Sequence, residues 1–106
     1  MSDWVLVGRT EDVAPGEHRV VDADGTSILV FNLDGSFYAI EDVCTHDGGV
    51  LSGGGVEGGQ VICPRHGARF CIRTGEALTA PAYEPTATFP VKVDGGNVLV
   101  RDDRWD

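Results

Sequence analysis

Two short runs in this 106-residue chain combine side chains able to grip a soft metal: Cys44-Thr45-His46 and Cys63-Pro64-Arg65-His66-Gly67. In each, a thiolate and an imidazole lie close enough along the chain to serve one site from a single loop. Sixteen residues separate His46 from Cys63, room to leave one loop and return through another. Two sulfurs and two nitrogens suit either a tetrahedral zinc or an iron–sulfur centre in which two histidines replace two cysteines on one iron. Zinc fingers usually draw their cysteines from one segment and their histidines from another. Here each run supplies one of each, which suits a two-iron cluster bridging two loops. A lone cysteine or histidine is ordinarily packed or solvated. Cys71 is read that way as a buried thiol, and His18 as a packed or solvated imidazole.

The elements that must position these runs are short and β-rich. Trp4 to Val7, Glu17 to Asp22, Ser27 to Leu33 and Ser36 to Ile40 read as strands, with Asp24-Gly25 and Asp34-Gly35 as hairpin turns. Toward the carboxyl end, Ala87, Phe89, Val91 and Val93 alternate with polar neighbours, the period of a half-buried strand. Pro90 cannot donate to a ladder, which places that strand at an edge. Asp94-Gly95-Gly96-Asn97 turns the chain into Val98-Leu99-Val100, and the charged tail from Arg101 is expected to fray, with Trp105 available to dock. Between these strand-forming ends lies a segment rich in Gly, Cys, His and Pro, with seven glycines (48, 49, 53, 54, 55, 58 and 59) in twelve residues. Glycine tolerates unusual φ and close backbone approach, so these residues are read as bringing N–H groups toward inorganic sulfide. The expected organisation is all-β and single-domain: an antiparallel base over about 1–42 and 83–106, with a loop-built subdomain inserted at about 43–82.

Composition narrows the function further. The net charge is −9, from eight bases and seventeen acids. That balance argues against nucleic acid and against anionic membrane surfaces. No run reaches the ~18–20 apolar residues of a transmembrane helix, and Met1-Ser2-Asp3-Trp4 lacks the pattern of a secretory signal, so the expected location is the cytoplasm. An odd cysteine count in a reducing compartment points to metal or redox use, not disulfides. From Cys44 to Glu76, three acids meet three bases; the other fourteen acids face five bases elsewhere. A locally neutral insert thus rides on an acidic body. No phosphate loop or nucleophilic triad pattern occurs.

C-T-H, sixteen residues, then C-P-x-H-G resembles the Rieske [2Fe–2S] motif, and the likeness continues through Gly67-Ala68-Arg69-Phe70-Cys71 and Thr74-Gly75-Glu76-Ala77. It is strongest to the small ferredoxins of bacterial aromatic-ring-hydroxylating dioxygenases. The resemblance implies a β-sandwich base and one cluster, with Cys44 and Cys63 on the inner iron and His46 and His66 on the outer, exposed one. The respiratory branch of the family ties its loops with a disulfide and aims a serine and a tyrosine hydroxyl at the cluster. Gly49 and Arg65 stand at the corresponding cysteine positions here, and Ala68 and Phe70 at the hydroxyl positions. Lost donors leave a reduced cluster less stabilised, which places the potential near the low end of a window of about −150 to +300 mV.

The function implied is one-electron carriage from a flavin-dependent ferredoxin reductase to a terminal Rieske oxygenase. Val50, Leu51, Pro64 and Pro81 are candidates for an apolar docking rim beside an exposed imidazole. Arg65, Arg69 and Arg73 are read as solvated or paired in preference to guiding partners. The acidic body would steer the chain toward basic partner surfaces. Two other readings stay open: a small subunit of an assimilatory nitrite reductase, and a zinc-stapled interaction module.

Overall fold

The computed structural model describes residues 4–23, 25–45, 48–80 and 82–104. Among the described residues ten strands run in chain order: β1 (Val5–Arg9), β2 (His18–Ala23), β3 (Thr26–Leu33), β4 (Ser36–Glu41), β5 (Val56–Glu57), β6 (Gln60–Ile62), β7 (Arg69–Cys71), β8 (Thr88–Phe89), β9 (Val91–Asp94) and β10 (Asn97–Val100). The helical content among the described residues is one 3-10 turn at Thr10–Asp12, and no helix is long and apolar enough to cross a membrane. The strands form three antiparallel sheets, ordered β1-β10-β9, β2-β3-β4-β8 and β5-β6-β7.

The apolar run Ile28-Leu29-Val30-Phe31 is continuous because β3 is covered on both faces, as a strand sandwiched between layers must be. Ile28 and Val30 join Val7, Val13, Ala39, Phe89, Val98 and Val100 in a core shared with the β1-β10-β9 sheet. Leu29 and Phe31 point the other way, into a second core with Ile40, Leu51, Val61, Phe70 and Ile72. Asp34 and Gly35 both have positive φ (53° and 92°), the type I′ geometry expected between β3 and β4. Asp24 of the other expected turn lies outside the described residues.

The alternating run around Pro90 is two strands, not one. β8 pairs with β4 at the edge of the middle sheet, and β9 pairs with β10 at the edge of the first. Pro90 sits where the chain changes sheet, so its missing N–H costs no ladder bond. The insert is also more regular than a loop-built unit, since β5, β6 and β7 form a sheet of their own.

The tail does not fray at Asp102, which is buried. Arg104 donates to both of its carboxylate oxygens at 3.0 Å, Thr26 adds a hydroxyl bond at 2.8 Å, and Arg104 also reaches Glu41 at 3.1 Å. These bonds, Arg104's first, hold the Asp102 carboxyl well below the usual carboxylate range. Trp105 lies outside the described residues. Because the folded-state pKa is depressed, this stabilisation is present above the unfolded value near 4 and is lost as pH falls below it. Asp102→Asn should therefore cost about 1.5–3 kcal/mol near neutral pH. Denaturant titrations at descending pH should show the gap to wild type closing below about pH 4.

Candidate metal centre

Cys44 and Cys63 are both buried (0% and 1% exposed) and belong to the core built on the second face of β3 and β4. Both thiols are free of disulfides. Each opens a loop with the same backbone bonds. The Cys44 N–H donates to the Gly49 carbonyl at 2.6 Å, and the Gly48 N–H donates to the Cys44 carbonyl at 2.8 Å. Nineteen residues on, the Cys63 N–H donates to the Ala68 carbonyl at 2.7 Å, and the Gly67 N–H to the Cys63 carbonyl at 3.0 Å. Gly48 and Gly67 occupy equivalent positions with φ of 75° and 74°, in the left-handed region that a side chain resists. Two unlike sequences thus fold into one loop geometry, with a thiol at the same corner of each.

His66 lies on the exposed arc of the second loop, with Pro64 and Arg65. His46 lies outside the described residues. Among the described residues no three His, Cys, Asp or Glu side chains gather at metal-binding distance. The described part of the expected set is two buried thiols and one surface imidazole. Matched loops presenting buried sulfurs and an outer imidazole fit the donor set of a mixed sulfur–nitrogen two-iron centre.

A third segment joins the two loops. The Thr45 hydroxyl donates to the Glu84 carbonyl at 2.6 Å. The Arg69 N–H donates to the Thr79 hydroxyl at 3.0 Å, and the Leu78 N–H to the Arg69 carbonyl at 2.8 Å. Ala82, between these anchors, is buried in the thiol core. Residues 78–80 and 82–84 therefore strap one loop to the other without a disulfide. Thr45, Thr79 and Asp42, which accepts three bonds from residues 51 and 52, do not stand out in the sequence as site residues. Threonine or aspartate beside a turn reads as a local turn former, and only the fold shows the long-range partner.

Other expectations need correction. Leu51 is fully buried and cannot belong to a docking rim, whereas Val50 is 54% exposed and Pro64 is exposed; Pro81 lies outside the described residues. Gly54 is needed against protein: a Cβ there would stand 1.8 Å from the Ile62 carbonyl oxygen. Cys71 is half-buried, outside the thiol core, and a hydrogen bond with the Thr74 side chain leads the contacts that lower its pKa. The reading of Arg69 and Arg73 as paired stands: Arg69 pairs with Glu57 at 3.6 Å, and Arg73 lies 5.6 Å from the Tyr38 ring centre. Ala68 and Phe70 are wholly buried in the thiol core and bring no hydroxyl to it.

Comparison with known proteins agrees with this geometry. Residues 3–90 match the Rieske [2Fe-2S] domain. The biphenyl dioxygenase ferredoxin subunit of Pseudomonas sp. (strain KKS102) is 41% identical over 91 residues, covering 85% of this chain and 84% of that protein. The solved ferredoxin of carbazole 1,9a-dioxygenase from Nocardioides aromaticivorans IC177 superposes with a TM-score of 0.89 at 33% identity, over 93% of this chain and 97% of that one. A chain from a solved complex of reduced oxygenase and oxidized ferredoxin in carbazole 1,9a-dioxygenase gives 0.89 at 36%, over 94% of each. The putative NADH-dependent nitrite reductase small subunit of Mycobacterium tuberculosis shares the fold at 0.82 and 26% identity, over 96% of each.

Because Gly48 and Gly67 play the same part in matched loops, Gly48→Ala and Gly67→Ala should each destabilise the protein by about 1–2 kcal/mol. Equilibrium unfolding in urea should give the two variants similar losses; a cost at one position alone would contradict the equivalence of the loops.

Proposed function

The chain belongs to the Rieske [2Fe-2S] domain family, and from that premise we propose that it is the electron-carrying ferredoxin of an aromatic-ring-hydroxylating dioxygenase system. It carries one [2Fe-2S] cluster. Cys44 and Cys63 would hold it through their thiolates, and His46 and His66 through their imidazoles. The unit over 43–82 does the binding, and the β base over 1–42 and 83–106 holds it. When bound, the cluster supplies reversible one-electron chemistry.

The observation that carries this reading is the pair of matched loops with buried sulfurs, the second of which also carries the exposed imidazole of His66. Buried thiols keep water from the inner side, while His66 at the surface offers a short path outward. A carrier needs both. The terminal oxygenase is the proposed acceptor, in line with the solved complex of such a pair. A flavin-dependent ferredoxin reductase is the proposed donor, and the cytoplasm the proposed location. The dioxygenase relative is 41% identical and the nitrite reductase subunit 26%, which favours the first assignment.

Anaerobic reduction should give a paramagnetic protein, and stopped-flow mixing with an oxidised ring-hydroxylating oxygenase should reoxidise it at a rate that falls with added salt. A colourless, diamagnetic protein would end the proposal. His66→Ala opens an iron position to water and should abolish the native visible spectrum. Phe70→Tyr places a hydroxyl in the thiol core and should raise the midpoint potential, as voltammetry on the two proteins will show.

A further inference from the structure

The two loops are alike at their tips and different at their necks. Loop two is closed by strand pairing, with Ile62 opposite Arg69 in the β6–β7 ladder. Loop one leaves β4 at Glu41, and the next strand begins at Val56, so no ladder among the described residues closes it. A side chain does so instead. Asp42 is 6% exposed, and its Oδ1 accepts the N–H groups of Leu51 and Ser52, each at 2.8 Å. Its Oδ2 accepts the Ser52 hydroxyl at 2.8 Å. The Asp42 N–H is itself fixed, donating to the Ser27 carbonyl at 2.9 Å. One carboxylate therefore joins both ends of the excursion that carries Cys44 and His46.

The same group carries charge. Its described partners are backbone amides and a hydroxyl, all neutral donors, so the negative charge is solvated by dipoles without being cancelled. It stands two residues before Cys44, and Leu51, which it anchors, shares a buried core with Cys44 and Cys63. Across such a low-dielectric region, a fixed negative charge opposes the arrival of an electron.

We infer that Asp42 is a positioning residue of the cluster site: it closes the Cys44 loop and, by its charge, holds the reduction potential down. The inference rests on the ligand assignment proposed above.

Asp42→Asn separates charge from closure. The Asn carbonyl oxygen can still accept from Leu51 and Ser52, and its amide can donate to the Ser52 hydroxyl. This variant should keep wild-type iron content and visible spectrum while its midpoint potential shifts upward; an unchanged potential overturns the electrostatic role. Ser52→Ala removes one bond, leaves the charge, and should keep the wild-type potential; a rise as large as that of Asp42→Asn overturns the same role. Asp42→Ala opens the neck and should release iron to a chelator at least about tenfold faster, with Asn restoring retention. Equal release from Asp42→Ala and wild type overturns the closure role. Hydrogen exchange at the Leu51 and Ser52 amides reads the neck whether or not iron is bound. It should quicken at least about tenfold in Asp42→Ala, and unchanged exchange there likewise overturns closure, independently of the ligand assignment.

Discussion

Leu29 and Phe31 leave β3 on one side and Ile28 and Val30 on the other, and the burial of both sets fastens the thiol-bearing loops to the rest of the protein. The middle sheet is therefore a wall common to two cores. Protein interiors are close-packed, so a shared wall transmits displacement from one side to the other. Cys44 and Cys63 rest on that wall through Leu29, Phe31 and Ile40, while the first sheet braces it from behind. A site held only by its own loops would drift; this one inherits the rigidity of a sandwich.

Electrostatics follows from the same arrangement. In the charge bookkeeping of a cluster held by two thiolates and two neutral imidazoles, the oxidised state is formally neutral and the reduced state carries one negative charge. A four-thiolate cluster begins with two negative charges, which explains why histidine ligation raises the potential. The protein then pulls it back. Ala68 and Phe70 offer no hydroxyl, the surrounding core is apolar, and Asp42 adds a negative charge nearby. Each of these would act against a reduced cluster, which accords with the carrier role proposed above.

The base strands were legible because their signals are local: two-residue alternation, β-branched runs, and Asp34-Gly35 with the φ values its turn demands. The paired C-x-H and C-x2-H runs exposed the chemistry for the same reason. What stayed hidden was long-range. Nothing near Pro90 announces that one alternating run splits between two sheets, because each half keeps the same period. Leu51 beside Val50 looked like surface, since adjacent apolar residues in a glycine-rich segment carry no sign of which one turns inward. Asp42 and Thr45 reach partners nine and thirty-nine residues away, and no spacing rule finds such pairs. Glycine density alone suggests sulfide contact, whereas at Gly54 the close neighbour is the Ile62 carbonyl.

One pairing has a bearing on how the molecule is made. β1 lies beside β10, with Val5 opposite Val100, so the first sheet joins opposite ends of the chain. On the ribosome that sheet has to wait for its last strand, while β2, β3, β4 and both thiol loops have already emerged. During that interval the wall behind the cysteines has one bare face. Biogenesis thus has a built-in order, in which the cradle is exposed before its support is complete.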